Sequence, residues 1–500
     1  DARALALAFG DESSAPALLA LLADSSAPQE RRAEALDALT RVRYAPAAAT
    51  ARALLGEPAL RGPALRALAE FEDEATPAAV LAVYGELTPD ERRDAQATLA
   101  SRPAWARPLL DAIAAGSVPR SEVGAFVIRQ LRAHGDDELD ALVRDAWGNV
   151  RDTPEEKRER IAELRARLTP EALTAADLPR GRALFARTCQ QCHTLFDRGG
   201  DLGPDLTGSN RGDLDYLLHT AIDPSAEVGR DYQATVVWLL DGRVVTGLLS
   251  EETDSALVLR TETDTIVVPR DEIDEVRPSD LSTMPDGLLD GLADDEVRDL
   301  VAYLASPAQV PRLLLPGDEA ELFDGATLAG WRGDAAVWSV EDGAIVGAST
   351  GLARNAFLRS DAHLRDFRLR LEVRLAGDAG NSGIQFRSRE LSGGDVAGYQ
   401  ADIGPGWWGK LYDEHGRGVL DDTGGAAHVR RGEWNDYEIL AVGHRIVLRI
   451  NGEVSADYDD PDGALGGILA LQVHSGGATD VRFRNLRLEL DPELPDDLDR

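Results

Sequence analysis

The chain has 500 residues but only two cysteines and one methionine. Lysine is almost as scarce, occurring only at Lys157 and Lys410. Aromatic residues make up 5% of the chain, and no apolar stretch approaches the roughly 20 residues of a membrane span. Positive charge is in deficit: 53 Lys and Arg face 88 Asp and Glu, giving a formal charge of −35. That balance runs along the whole chain and argues against nucleic acid and anionic membrane surfaces as partners. Two cysteines cannot build a multi-bridge framework, nor can they alone fill a four-ligand zinc site. The length implies about three domains.

Both cysteines fall in one run, Cys189-Gln190-Gln191-Cys192-His193. Two thiols at this spacing reach the two vinyl groups of one porphyrin, and the adjacent imidazole binds its iron. A disulfide, a zinc half-site or a thioredoxin-like dithiol fits less well, because no further cysteine exists and the flanks lack a βαβ pattern. The run therefore predicts one covalent haem c. The only methionine, Met284 in Ser282-Thr283-Met284-Pro285, is the expected sixth ligand, so that His193 and Met284 hold the iron; a core methionine is the plain alternative. His219 would replace it in a bis-histidine centre. A His/Met pair raises the reduction potential and suits electron transfer. Haem c is attached outside the cytoplasm, so a periplasmic or other extracytoplasmic location is expected. The chain starts at Asp1 without a signal-like segment, and the haem motif leads to the expectation of a signal or anchor that was removed or lies outside this sequence.

Residues 1–170 read as short helical pairs rich in alanine, leucine and arginine. Examples are Ala15 to Leu22, Arg31 to Leu39 and Arg61 to Leu68. Apolar residues recur at helical spacing and the units return after a few tens of residues. This pattern resembles a degenerate HEAT-type α-solenoid, with an irregular helical domain as the alternative. No polar capping repeat precedes Ala4-Leu5-Ala6.

Residues 178–308 carry the haem run. Gly181-Arg182-Ala183-Leu184-Phe185 is the expected helix leading into it. Gly203-Pro204-Asp205-Leu206-Thr207-Gly208 resembles the loop of class I cytochromes c, in which the proline carbonyl, here Pro204, orients the proximal histidine. Alternating runs between Thr235 and Val268, the first two joined by Asp241-Gly242, predict a small β-barrel insertion over 231–277, between the two axial ligands. A closing helix over 294–304 ends at Ser306-Pro307. With Ala221-Ile222-Asp223-Pro224-Ser225, these motifs in this order resemble the haem-binding domain of the Pirellula/Verrucomicrobium type. The resemblance implies a monohaem cytochrome c domain. A redox partner such as a sugar dehydrogenase or another cytochrome is then expected.

Past Pro316 the pattern turns to strict alternation with Gly, Asn and Asp turns, as in Phe367 to Leu375 and Ile446 to Gly452. Many short strands at regular intervals predict a β-sandwich or jelly roll of the concanavalin-like kind over 318–490. The chain is thus a multidomain α and β protein. The motifs here are Phe323-Asp324-Gly325, Asn381-Ser382-Gly383-Ile384-Gln385-Phe386-Arg387, Gly398-Tyr399-Gln400-Ala401-Asp402, Gly432-Glu433-Trp434-Asn435 and Leu471-Gln472-Val473-His474. They closely resemble the 3-keto-disaccharide hydrolase family. One departure stands out: many members carry a glutamate in the Gly-Tyr-Gln segment, where this chain has Gln400 and then Asp402.

The resemblance implies an oxidised, 3-keto glycoside as substrate. The ketone acidifies the C2 hydrogen, so a base can remove it, an enolate forms and the C1 oxygen leaves; water then adds back. Such a site needs a base, an enolate stabiliser and an acid near the leaving group. His474, Asp402 and Glu433 are the proton-transfer candidates. Arg387, Lys410 or a divalent metal held by carboxylates could face the enolate. Asn381, Gln385, Tyr399, Gln400 and Gln472 are the implied substrate-binding residues. Trp407, Trp408 and Tyr412, in a glycine-flanked loop, read as a sugar-stacking platform. Each has a plain alternative: His474 caps a strand end, Asp402 sits in a turn, and Glu433 braces the Trp434-Asn435 turn. The chief rival to cleavage is a carbohydrate-binding module beside an electron-transfer unit. A third reading leaves electron transfer as the sole activity.

Overall fold

The computed structural model describes residues 7, 12–261 and 264–495; Ala4-Leu5-Ala6 lies outside them. The chain divides into two compact units. The first joins the residues up to Ala175 with Ala186–Ser306, and the second joins Ala176–Phe185 with Pro307 onward. The short N-terminal piece belongs to the second unit through specific bonds. Arg182 donates to Asp361 at 2.8 Å and to the Val310 carbonyl, and Arg365 pairs with Asp177. Composition carries no signal for pairs formed across such sequence distances. No helix among the described residues is long and apolar enough to cross a membrane.

The helices of the first unit lie in two rows. Gln29–Arg41, Pro58–Leu68, Pro89–Ala100 and Ala125–Arg132 pack in succession, as do Ala15–Ala23, Ala47–Leu54, Thr76–Val83, Pro103–Ala114 and Asp137–Ala146. Proline opens several of them, where its missing N–H costs nothing. One apolar cluster runs beneath both rows from Leu7 to Val150. Arginine links neighbouring pairs in a recurring way. Arg32 donates to the Leu22 carbonyl and pairs with Glu57, Arg61 donates to that of Leu55 and pairs with Glu91, and Arg92 donates to that of Leu87 and pairs with Glu122.

In sequence α1 (Leu178–Thr188) leads into the haem run, and α2 (Leu214–Ile222) and α3 (Asp294–Ala305) follow it. The Asp213 carboxylate accepts from the Tyr216 N–H and so caps α2, and Glu296 reaches back to the Ala293 N–H at the start of α3. Between α2 and α3 stand β1 (Gln233–Leu239), β2 (Val244–Glu252), β3 (Ala256–Arg260), β4 (Thr265–Pro269) and β5 (Ile273–Ser282). They pair antiparallel in the order β4-β3-β2-β1-β5, and among the described residues nothing pairs β4 with β5. The insertion is therefore an open five-stranded sheet, not the expected barrel. Its core is small, built on Val237, Leu239, Leu257, Leu259 and Val268, too few residues to fill a closed interior. Strand β5 ends at Ser282, two residues before Met284, so the insertion runs directly into the candidate ligand.

The second unit is a β-sandwich. Its strands are β6 (Trp338–Glu341), β7 (Ala344–Ser349), β8 (Ala356–Leu364), β9 (Phe367–Leu375), β10 (Ser382–Glu390), β11 (Val396–Ile403), β12 (Leu411–Glu414), β13 (Gly418–Asp421), β14 (Asn435–Val442), β15 (Arg445–Ile450), β16 (Glu453–Asp459), β17 (Gly467–Val473) and β18 (Thr479–Leu490). One sheet runs β6-β7-β18-β9-β14-β15-β16 and the other β13-β12-β11-β10-β17-β8, with Arg312–Leu313 at its edge. Period-two alternation sends Ile384, Phe386, Tyr399, Ala401, Ile403 and Leu471 of the second sheet into a shared core with Phe367, Tyr437 and Phe483 of the first. The opposite face of the second sheet carries the polar residues of the motifs.

Candidate functional site

In the first unit the haem run folds as a tight turn with its two half-buried thiols not joined to each other. Two glycines let the chain wrap around it. A Cβ on Gly199 would lie 2.1 Å from the His193 carbonyl oxygen, and one on Gly200 1.9 Å from that of Gln191. Gly203 lies flat against the imidazole, where a Cβ would come within 2.5 Å of the ring. His193 Nδ1 lies 2.8 Å from the Pro204 carbonyl oxygen. A carbonyl only accepts, so Nδ1 carries the proton and Nε2 is left as the ligating nitrogen. Burial pulls the His193 pKa below the ordinary histidine value, which keeps the ring neutral as ligation requires. Two thiols, an oriented neutral imidazole and a glycine cradle fit a covalent haem.

Met284 is half-buried on a bend, and both flanks of that bend are tied down. The Ser282 N–H donates to Ser225 Oγ at 3.1 Å, and Lys157 Nζ bridges Asp223 and Asp286 at 2.8 Å each. Arg151 adds two further bonds to the buried Asp223. The Ala221 to Ser225 motif is thus the anchor of the methionine bend. His219, the alternative ligand, is half-buried on α2 with an unpartnered Nδ1.

In the second unit the motif residues gather on one sheet face. Gly383 on β10 stands opposite both Asp402 on β11 and Gln472 on β17, and Gln385 stands opposite Gln400. Gly383 is required there, because a Cβ would lie 2.4 Å from the Gln400 side chain, which crosses directly above it. A buried polar chain results: Ser388 Oγ donates to Gln385 Oε1, Gln385 Nε2 to Gln400 Oε1 at 2.7 Å, and Gln400 Nε2 to Asp402 Oδ1 at 2.5 Å. Asp402 is only 3% exposed, and its Oδ2 has no partner. Burial pushes its carboxyl up to about 7; Gln400 and Lys410 pull it down, and the charge of Glu414 adds to the rise. Gln472 is fully buried with both amide atoms unpartnered.

Beside this chain, β12 presents Tyr412 and Glu414 at alternate positions, and Lys410 immediately precedes it. Lys410 Nζ lies 5.3 Å over the Trp407 ring, and Trp407 meets Tyr412 edge-on at 6.2 Å. Trp407 is 38% exposed. His474 is exposed at the end of β17, where its N–H bonds the Asn381 carbonyl at 3.1 Å. Its Nδ1 lies 2.7 Å from the Ser475 carbonyl oxygen, so Nε2 is the open acceptor.

Two family models match segments of the chain. Residues 318–489 match the model described as a 3-keto-alpha-glucoside-1,2-lyase-like domain, and residues 176–228 match that of cytochrome C oxidase, cbb3-type, subunit III. The chain joins a cytochrome c domain to a 3-keto-glycoside-lyase-like domain. The cytochrome match stops just short of β1, where the inserted sheet begins. No curated protein matches the chain. Among solved structures, the carbohydrate binding module CBM66 from Bacillus subtilis is 19% identical, covering 32% of this chain and 95% of its own, at a TM-score of 0.27. A protein described as a glycosyl hydrolase, from Parabacteroides distasonis, is 20% identical, covering 36% and 98%, also at 0.27.

Several expected site residues of the lyase-like domain lie elsewhere. Tyr399 points into the core, stacked on Phe386 at 5.5 Å, with its hydroxyl on Asp460. Neighbours along a strand face opposite ways, so Tyr399 and Gln400 cannot both meet a sugar. Trp408 is likewise buried, its indole N–H donating to Asp378, which leaves the exposed Trp407 and the half-buried Tyr412. Arg387 sits at a positive φ of 45° beside a β-bulge, and its guanidinium is used up on the Arg365 and Gly443 carbonyls and on Asp366. It is a structural hub, not an enolate ligand. Glu433 is exposed on the turn before β14 of the other sheet, a turn braced by Asn435. No three His, Cys, Asp or Glu side chains among the described residues converge as a metal-binding group. Glu414 is the residue that sequence reasoning missed. Its signal was available, since it shares the strand parity of Tyr412.

Proposed function

We propose that the lyase-like domain cleaves 3-keto-glycosides by elimination, and that the cytochrome c domain transfers electrons linked to formation of the ketone. Asp402 carries this reading: a buried carboxyl pushed up to about 7, fixed through one oxygen by Gln400 and unpartnered at the other. A carboxyl that titrates at about 7 keeps a substantial protonated fraction at neutral pH, and that form can donate a hydrogen bond to an oxygen that gains negative charge. In this reading Asp402 Oδ2–H donates to the C3 oxygen as it becomes an enolate oxygen, once substrate has displaced the cover over the carboxyl. His474 Nε2 takes the C2 proton. Trp407 and Tyr412 offer the sugar an apolar face, with Lys410 beside them.

In the cytochrome c domain, Cys189 and Cys192 would bind haem c and His193 and Met284 its iron. The group supplies a one-electron couple. A dehydrogenase that oxidises the C3 hydroxyl has to produce the keto sugar, and its electrons need an acceptor such as a haem c. We read the two rows of helices as a HEAT-type array, the cytochrome segment as the Pirellula/Verrucomicrobium type, and the location as extracytoplasmic. The recurring arginines and the sheet inserted before Met284 support the first two readings; the chemistry of haem attachment supports the third.

The near-complete burial of Asp402 favours one rival, a module that binds carbohydrate without cleaving it, because substrate has to displace the cover over Asp402. One experiment separates them. Purified protein is incubated with a 3-keto-glucoside and with the parent glucoside, and aglycone release is followed. Cleavage of the keto sugar alone, lost in His474→Ala and Asp402→Asn, supports the enzyme; binding of both sugars without release supports the module.

A further inference from the structure

Resting on the elimination reading, we propose that Glu414 is the acid that protonates the departing glycosidic oxygen. The geometry is independent of any motif. Glu414 ends β12 on the face that carries Tyr412, and its strand partner is Gly398, which adds no side chain to crowd it. Asn355 ties it to the base: Asn355 Nδ2 donates to Glu414 Oε1 at 3.3 Å, while Asn355 Oδ1 accepts the Ser475 N–H at 2.9 Å, next to His474. The titratable groups around it are Asp402, whose carboxyl its charge raises, His415 and Asp395, bonded to each other at 3.0 Å, and His474 itself. Unlike Asp402, Glu414 is only half-buried and open to a ligand. Burial and Asp395 push its carboxyl up, which favours the protonated form an acid needs, while the two histidines and Asn355 oppose the rise.

The proton and electron count closes. The C2–H bond breaks and its proton goes to His474 Nε2. A double bond forms between C1 and C2 as the C1–O bond breaks, and the departing oxygen takes the proton of Glu414. The sugar leaves as an enone conjugated with the C3 ketone, no oxidant is consumed, and one base and one acid have exchanged a single proton through the substrate.

Leaving-group dependence tests this role. A nitrophenolate departs without protonation and an alkoxide does not. Glu414→Gln should therefore lower kcat/KM for methyl 3-keto-glucoside by about 10²-fold or more, the usual worth of a positioned acid. For the 4-nitrophenyl 3-keto-glucoside the loss should stay below about 10-fold. Asn355→Ala should shift the same ratio in the same direction by a smaller factor, which guards against a Glu414 variant that folds poorly. Equal losses on both substrates, or none on either, overturn the assignment while leaving the elimination reading intact. Failure of the wild type to cleave either keto sugar overturns that reading and this assignment with it.

Discussion

Asp402→Asn should stabilise the sandwich while disabling it. An aspartate in an unfolded chain titrates near 4, whereas in the folded protein burial holds Asp402 at about 7. The folded state therefore binds the proton more tightly. This group's contribution to stability is fully present below about pH 4 and is lost as pH rises to about 7. The slope is about 1.4 kcal/mol per pH unit, so the total is on the order of 4 kcal/mol. Asparagine does not titrate and keeps an oxygen for the Gln400 amide, so it escapes the loss. The assay is unfolding of wild type and variant in urea at a series of pH values from 4 to 8, followed by near-ultraviolet circular dichroism. The variant should match the wild type at pH 4 and exceed it by 1–4 kcal/mol at pH 8, worth about 2–4 °C in thermal midpoint per kcal/mol for a unit of this size. Other carboxylates titrate in both proteins and cancel in the difference. A variant less stable than wild type at pH 8, or a difference independent of pH, would show that Asp402 is not a buried, strained carboxyl.

Other parts of the molecule yield further outcomes. Met284→Ala should abolish the methionine-to-iron charge-transfer band of the oxidised protein, whereas a bis-histidine spectrum in the wild type would point to His219. Lys157→Met removes the bridge between Asp223 and Asp286 and leaves the buried Asp223 to Arg151 alone, so the methionine bend should loosen and added imidazole should bind the haem about 10-fold or more tighter. Arg182→Ala breaks a nearly buried pair with Asp361 and should cost the sandwich unit about 3–5 kcal/mol in urea unfolding, although residue 182 lies next to the haem run in sequence. Gly383→Ala should lower turnover by displacing Gln400 from Asp402 and should cost about 1–3 kcal/mol of stability.

Covalent chemistry was the most legible part of the chain. Cys189, Cys192 and His193 at fixed spacing leave little room for another reading, and the Gly203-Pro204 segment places its carbonyl on the His193 ring. The sandwich was legible too, because alternation of one buried face survives in the residue pattern from Phe367 to Leu375 and beyond. What alternation settles only when strand bounds are known is parity, and Tyr399 and Glu414 both turned on it, while Trp408 sits in the turn between β11 and β12, where alternation does not apply. Arg387 escaped for another reason: a bulge and a positive φ redirect its side chain, and neither leaves a composition signal. The open insertion and the allegiance of residues 176–185 depend on contacts between distant segments, such as Asp177 with Arg365.

The central claim is that cleavage begins with removal of the C2 proton, and the fate of that hydrogen tests it most directly. A 3-keto-glucoside carrying deuterium at C2 is incubated with the protein in ordinary water, and the released sugar is examined by mass spectrometry at partial conversion. Elimination followed by hydration predicts a released sugar that has lost the label, with turnover slower than for the unlabelled compound where proton transfer limits the rate. Release of a sugar that keeps its deuterium at C2, at an unchanged rate, would contradict the mechanism.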